Sequence, residues 1–345
     1  MARALGVAIV GTGWVSTEHI AAFMRNPHTE VRMICGSDEA RARERLAAGG
    51  APAWVRFTKN FDDVLKADDI QIVALVNRPD LHAAQTIAAA EAGKHILIEK
   101  PVALNLDDLR AMQKAVRKAG VRTVVSFVLR WNPLFDIIKT LLDRDAIGQL
   151  YYAEVDYYHA IGPWYRQYEW NKQKKYGGSA LLSAGCHAVD GLRYFMRKEA
   201  VEVKAYTMRS NAGPFKEYEY DPSSVCIVQF ADGSVGKVAT SLECVCPYVF
   251  NIALFGTDGT IMNNRLYSKR LMPGQTNFAT IPTILPDSGD VSHHPFEGEI
   301  DHLVDCIRAG RESHVNLDDA AKTHEICFAM EEAAKTGRPV KLPLK

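Results

Sequence analysis

Short, almost wholly apolar runs alternate with amphipathic stretches over the first third of the chain. The runs at Leu5–Val10, 31–35, 70–76, His95–Ile98 and 123–128 read as strands. Between them the spacing predicts helices over 16–25, 41–48, Phe61–Lys66 (with Asp62 or Asp63 near its start), from beyond His82 to 92, and over 107–120. Strands that alternate with helices in this way imply a parallel sheet covered on both faces. Ligands of such sheets bind outside the carboxyl ends of the strands. Gly11, Gly36, Asn77, Glu99 and Lys100 fall at those ends.

After Arg130-Trp131-Asn132-Pro133 the texture changes. A helix over 134–142 precedes longer segments with a period of two, at 149–158, 201–208, 224–230, 234–241 and 249–255. Asp232-Gly233 marks a hairpin between two of them, since Asp-Gly supplies the positive φ such turns need. Residues 256–259 mark another turn. These segments predict a large open, mostly antiparallel sheet with the region 177–197 packed on it. Residues 268–292, rich in Pro, Gly, Ser and Thr, read as loop; helices follow over 296–308 and Leu317–Thr336, stopped by Gly310 and Gly337. The chain is thus expected to be α/β, with a Rossmann dinucleotide-binding domain over 1–128 and a second α/β domain over 129–345. No internal repeat or low-complexity segment interrupts it.

The length of 345 residues suits two domains. Lys plus Arg and Asp plus Glu number 41 each, so the formal net charge is zero, which argues against a nucleic-acid or membrane-surface binder. No apolar run approaches the roughly 20 residues that span a bilayer. The chain enters a strand-like run at once, without a signal-peptide pattern, and the expected location is the cytoplasm. The seven cysteines, scattered among apolar neighbours, read as free buried thiols. Cys244-Val245-Cys246 would show both thiols on one face of a strand, but no second ligand pair follows at zinc spacing. His293-His294 likewise has no acid-rich partner motif, so no metal site is expected.

Gly11-Thr12-Gly13-Trp14-Val15-Ser16 lies between the first strand and the first helix, the context that gives a G-x-G-x-x-G-like match its force. Gly11 permits the tight turn and Gly13 lets the backbone approach a pyrophosphate on the helix N-terminus; Ser16 stands in the third place and is small enough for close packing. The acid that usually holds the ribose of NAD at the end of the second strand is absent. Gly36 and Ser37 stand there, with Asp38 next and Arg41 a turn further on. Ser37 and Arg41 suit a 2′-phosphate, which favours NADP over NAD; alternatively Asp38 holds the ribose and Arg41 is a solvated helix residue.

A second stretch, Gly177-Gly178-Ser179-Ala180-Leu181-Leu182-Ser183-Ala184-Gly185-Cys186-His187-Ala188-Val189-Asp190, opens on a glycine turn and continues as an apolar helix. It presents His187, with Asp190 three residues on the same face. A histidine there is either a satisfied core side chain or a base.

Gly11-Thr12-Gly13, Glu99-Lys100-Pro101 and Gly177-Gly178…Gly185-x-His187-x-x-Asp190, in this order and spacing, resemble the glucose–fructose oxidoreductase / inositol dehydrogenase / MocA (Gfo/Idh/MocA) family over essentially the whole chain. His82, Arg130-x-x-Pro133 and His294-Pro295-Phe296…Glu299 are further points of similarity. The resemblance implies oxidation or reduction of a secondary alcohol of a sugar, sugar derivative or cyclitol with NAD or NADP, and a homodimer or homotetramer paired through the exposed face of the large sheet. It implies Lys100 and His187 as the catalytic pair. The expected cofactor-binding set is Gly11, Thr12, Gly13, Trp14, Val15, Gly36, Ser37, Arg41, Asn77, Pro79, His82, Glu99 and Lys100. The expected substrate set is Ser183, Asp190, Arg130, Tyr158 and Trp164, with Tyr157, Tyr165 and Trp170 as further aromatic candidates. Many members carry an aspartate four residues before the histidine. Ser183 stands there here, so the proton relay is expected to lean on Lys100 and Asp190.

In this chemistry a neutral histidine takes the hydroxyl proton, since its unperturbed pKa is about 6.5. A lysine ammonium stabilises the developing alkoxide. Two other readings remain open: an enzyme that retains its nicotinamide and uses transient sugar oxidation for glycoside cleavage or sugar–sugar oxidoreduction, and a non-catalytic cofactor-sensing regulator.

Overall fold

A computed structural model describes residues 4–287 and 293–345. The chain forms two compact units, one comprising the residues up to Phe127 together with Pro295–Ala321, the other Val128 to His294 together with Lys322–Lys345.

In the first unit the apolar runs become parallel strands: β1 (Leu5–Val10), β2 (Thr29–Cys35), β3 (Arg56–Thr58), β4 (Ile72–Leu75), β5 (His95–Ile98) and β6 (Thr123–Val125). Their order is β3-β2-β1-β4-β5-β6. Val7, Ala8 and Ile9 of β1 and all of β4 are inaccessible, as strands covered on both faces require. Helices α1 (Ser16–Arg25), α2 (Glu39–Ala48), α3 (Phe61–Lys66), α4 (His82–Glu91) and α5 (Leu106–Ala119) alternate with them. Asp38, Asn60 and Asn105 start α2, α3 and α5 by accepting a backbone N–H of the first turn. Strand β3 has no sequence pattern of its own and exists through its pairing with β2. The strand expected over 123–128 stops at Val125, because Val128–Trp131 winds into a 3₁₀ turn.

In the second unit Asn132 caps α6 (Pro133–Asp143), with Pro133 at its first position. After β7 (Leu150–Tyr158) come two single-turn helices, α7 (Tyr168–Asn171) and α8 (Lys174–Gly177). A π-helical turn, Leu181–Gly185, then runs into α9 (Cys186–Met196). The sheet continues with β8 (Ala200–Met208), β9 (Ser223–Phe230), β10 (Val235–Ser241), β11 (Val249–Gly256), β12 (Gly259–Met262), β13 (Arg265–Ser268) and β14 (Ala279–Thr280). After α10 (Phe296–Ala309) and α11 (Leu317–Thr336), β15 (Val340–Lys341) closes it. The order is β14-β13-β12-β11-β7-β10-β9-β8-β15, antiparallel except for the parallel pair β7–β10. One face carries α6 and α9, where Phe135 meets Phe195 at 4.9 Å and Phe250 at 5.8 Å between ring centroids. Of the stretch expected as loop, 268–287 also holds the two residues of β14, and 288–292 lie outside the described residues.

The domain expectation of a single crossing near residue 128 is corrected by the return of Pro295–Ala321 to the first unit. The cause is the edge of β6. Val125 N–H donates to Val315 O at 3.0 Å and Leu317 N–H to Thr123 Oγ1 at 2.9 Å, so the returning chain satisfies an edge that would otherwise stay open. Backbone pairing of this kind leaves no mark on the side-chain pattern.

Candidate functional site

In the first unit the strand order reverses between β1 and β4, the switch point at which such sheets bind ligands. Gly11 leaves β1 there with φ +125°, and a Cβ on it would lie 2.8 Å from the backbone of Val76 and Asn77. Only glycine fits. A Cβ on Gly13, by contrast, would meet nothing within 4 Å. Ser16 Oγ donates to Gly13 O at 2.5 Å and fixes the turn. No described side chain caps α1, and Ser16, Thr17 and Glu18 N–H turn back to the carbonyls of Gly13, Trp14 and Val15, so it is the positive dipole end of the helix that suits a diphosphate. At the end of β2 a Cβ on Gly36 would lie 2.5 Å from Thr12 Cγ2, so an acid there would require the Thr12 side chain to move. Ser37 and Arg41 are exposed, while Asp38 Oδ1 accepts Arg41 N–H at 3.0 Å and is engaged as the α2 cap.

Three expected cofactor contacts, His82, Asn77 and Glu99, have side chains engaged elsewhere. His82 is fully buried; burial lowers its pKa, so the ring is neutral and has one N–H to give. Nδ1 lies 2.9 Å from Pro101 O and Nε2 3.2 Å from Asn77 O, and the shorter contact is the better donor geometry. His82 therefore braces the segment after β5 to the end of β4, beside the buried Pro79. Asn77 Nδ2 donates to Gln85. Glu99 faces inward as well: it accepts from His19 Nε2 at 2.8 Å and from Lys100 N–H at 3.0 Å. Burial alone would raise its carboxyl pKa, but the His19 bond and charge and the Lys100 charge outweigh it and hold the group low. Glu299 on α10 is the opposite case. Burial and the Glu99 charge push its carboxyl well up, against a 3.0 Å hydrogen bond from Ser126. One acid is ionised and its neighbour neutral. Lys100 itself is half-buried and precedes a cis bond to Pro101.

In the second unit His187 stands on the first turn of α9, with its ring nearly parallel to Tyr157 at 6.2 Å and 14°. Tyr248 meets Tyr157 edge-on at 5.2 Å. Burial raises the Tyr157 hydroxyl pKa far above its ordinary value, so it stays protonated, 3.3 Å from His159 Nδ1. The π-helical turn sets this up. At Gly185 a Cβ would lie 2.3 Å from Thr240 Oγ1, so the turn reaches β10 only because no side chain intervenes.

Four expected substrate contacts are placed differently. Arg130 and Asp190, 4% and 2% exposed, form a two-pronged ion pair at 2.7 and 2.6 Å, and Thr323 Oγ1 donates to Asp190 at 3.0 Å. The pair fastens the 3₁₀ turn to α9 and α11 and, with the Thr323 hydroxyl, engages both carboxylate oxygens of Asp190. Ser183 is buried within the π-helical turn, where its N–H donates to Ser179 O at 2.9 Å. Tyr158 alternates with Tyr157 along β7 and so points to the other face, the one that carries Asp156. The fifth, Trp164, is 66% exposed, with its ring edge-on to Phe215. Tyr165, an aromatic candidate, meets His159 edge-on at 5.0 Å. Cys244 and Cys246 lie in the connection from β10 to β11, not in a strand, and Cys246 is exposed. Among the described residues no three His, Cys, Asp or Glu side chains are grouped to hold a metal, and no helix is long and apolar enough to cross a membrane.

His19, Glu299 and His159 were not given roles by the sequence. Glu299 was the most legible of them: it shares the buried stripe of α10 with Phe296, Ile300 and Leu303, where a carboxylate has no ordinary place.

Comparison with known families accords with both halves of this arrangement. The family described as "Oxidoreductase family, NAD-binding Rossmann fold" (GFO_IDH_MocA) matches residues 5–127, and the "GFO/IDH/MocA C-terminal domain" matches residues 135–262. The chain belongs to the Gfo/Idh/MocA oxidoreductase family. Among curated relatives, scyllo-inositol 2-dehydrogenase (NAD(+)) of Bacillus subtilis is 25% identical over 98% of this chain and 96% of its own. Levoglucosan dehydrogenase of Pseudarthrobacter phenanthrenivorans is 28% identical over 77% of this chain and 74% of its own. A solved levoglucosan dehydrogenase in complex with NADH and levoglucosan superposes with a TM-score of 0.87 at 23% identity, covering 99% of this chain and all of the other. The Gfo/Idh/MocA assignment thus covers a Rossmann unit that binds NAD and a second unit built on a mixed, mostly antiparallel sheet.

Proposed function

We propose that this protein transfers hydride between a nicotinamide dinucleotide and a secondary alcohol or ketone of a sugar, sugar derivative or cyclitol. The observation that carries the reading is His187, delivered by a π-helical turn and backed by Tyr157, in a chain whose first unit carries the Gly11–Val15 turn. The relatives named above, an inositol and a levoglucosan dehydrogenase, support the substrate class. A bound dinucleotide supplies the hydride acceptor. The residues that would hold it are Gly11 to Val15 and the start of α1 for the diphosphate, Ser37 and Arg41 for the adenosine ribose, and Lys100 with the ends of β4 and β5 at the nicotinamide end. Lys100 donates to the reacting oxygen and stabilises its charge. His187 takes its proton. Ser183 and Asp190, bound within the second unit, hold the fold and leave the proton to these two residues. Turnover of a panel of sugars and cyclitols with NAD and NADP tests the reading; no turnover with any of them sinks it.

We propose NAD as the cofactor, in line with the names of the relatives. The NADP preference expected from the sequence rests on Ser37 and Arg41 alone. An Arg41→Ala variant is expected to lose about tenfold in NADP affinity, with less than a twofold change for NAD, since one guanidinium–phosphate contact is worth about 1.4 kcal/mol or more. Titration of both cofactors by tryptophan fluorescence measures this; equal loss for both would mean that Arg41 does not sit at the ribose.

We also propose a homo-oligomer paired through the outer face of the nine-stranded sheet. Tyr206, Met208, Val225 and Ile227 share that face and are exposed, Tyr206 by 62% and Ile227 by 43%. Apolar surface of this kind marks a contact. Ile227→Glu is expected to shift sedimentation from oligomer to monomer without loss of fold; a monomeric parent protein would end the idea.

A further inference from the structure

The π-helical turn that delivers His187 is gripped at its start by a residue from the far end of the chain. Ser179 precedes the turn. Its hydroxyl oxygen accepts Leu182 N–H at 3.1 Å and its carbonyl accepts Ser183 N–H at 2.9 Å, so both ends of Ser179 hold the turn. The hydroxyl proton goes to the carboxyl of Glu331 on α11. Cys226 and Cys327, which lie near that carboxyl, are buried. A hydroxyl in such surroundings without an acceptor carries a desolvation cost, or rotates away.

We propose that Glu331 is a positioning residue for His187, acting through the Ser179 hydroxyl to keep the intervening turn π-helical. This rests on the reading of His187 as the base. A π turn holds one residue more than an α turn. Its collapse would swing the following residues by about one residue's share of a helix, roughly 100°. His187 would then leave the ring of Tyr157. The grip also depends on charge, because an ionised carboxylate binds a hydroxyl about twice as strongly as a neutral acceptor. The titratable groups that face Glu331 are Lys174 on α8, Tyr220 ahead of β9, Cys226 on β9 and Cys327 on α11 itself. Burial raises the carboxyl, the Ser179 bond and the Lys174 charge oppose it, and the balance lies at about 7. Glu331 therefore tightens its hold as pH rises through neutrality.

The test compares Glu331→Leu, Glu331→Gln, Ser179→Ala and the double variant Ser179→Ala/Glu331→Leu with the parent enzyme and with His187→Ala, in turnover assays on whatever sugar the panel identifies. Glu331→Leu and Ser179→Ala are each expected to lower kcat about 5- to 20-fold with KM and cofactor Kd within twofold, and the double variant is expected to be no worse than either single one, since all three break one link. Glu331→Gln, which still accepts a hydrogen bond, is expected to match the parent below about pH 6. At pH 8 it is expected to fall about two- to fivefold behind, because only the parent then carries a charge. Should the leucine variant not fold, the glutamine and Ser179→Ala variants carry the test alone. Additive losses, or a parent-to-glutamine ratio that does not change with pH, overturn the proposal while an inactive His187→Ala leaves the catalytic reading standing. An active His187→Ala overturns that reading, and the positioning role with it.

Discussion

Alanine in place of His187 is expected to lower kcat about 10²- to 10⁴-fold, the usual contribution of a positioned general base, while cofactor affinity stays within a few-fold. The expectation follows from separate tasks. The cradle at Gly11 to Val15 lies in the first unit and His187 in the second, so removing the imidazole leaves the cradle intact. On the proposed reading it leaves Lys100 as well, whose role is to donate to the reacting oxygen rather than to take its proton. Lys100→Met is therefore expected to lower kcat by a similar factor for a different reason, loss of charge stabilisation, and the double variant to cost less than the product of the two. Added imidazole should restore part of the His187→Ala activity and none of the Lys100→Met activity. Steady-state kinetics on the identified substrate, with and without imidazole, decides it; a His187→Ala enzyme with parental kcat removes the imidazole from the chemistry.

How much of this was legible in the sequence depends on how local the cause is. Strands β1, β4 and β5 are short apolar runs because both their faces are covered, and Gly11 is a glycine because of its φ and its approach to Val76. Those features read directly. Tyr157 and Tyr158 show a local signal that was misjudged. Along β7, Ala153, Val155 and Tyr157 alternate with Glu154, Asp156 and Tyr158, so the apolar set assigns Tyr157 to the helix-covered face that holds His187. The period of two chose the tyrosine. The other differences have no local signal. Arg130 and Asp190 are 60 residues apart, and His19 meets Glu99 across 80. Motifs name such residues without saying whether they face a ligand or each other. Glu99 and Asp190 both turn out to face partners within their own unit, which is why their charges coexist with burial.

The Arg130–Asp190 pair leads to the largest expected loss of stability. Removing one member leaves the other charged and buried, which costs about 3–5 kcal/mol, a large share of the roughly 5–15 kcal/mol that holds a domain folded. Asp190→Ala is expected to lower the unfolding free energy by that amount, and Arg130→Met by a similar one. The double variant Arg130→Met/Asp190→Leu, which strands neither charge, should recover much of the loss, although the Thr323 hydroxyl then lacks its acceptor. Chemical denaturation followed by tryptophan fluorescence measures all three. The same variants separate a brace from a substrate contact. A carboxylate that touched substrate would raise KM on conversion to Asp190→Asn and leave stability nearly unchanged, whereas a brace destabilises first and affects kcat only through the seating of α9. His187 is one turn from Asp190 on that helix, so a loosened pair acts on kcat through the imidazole. A stable Asp190→Asn protein with a raised KM would reverse the assignment and return Asp190 to the substrate.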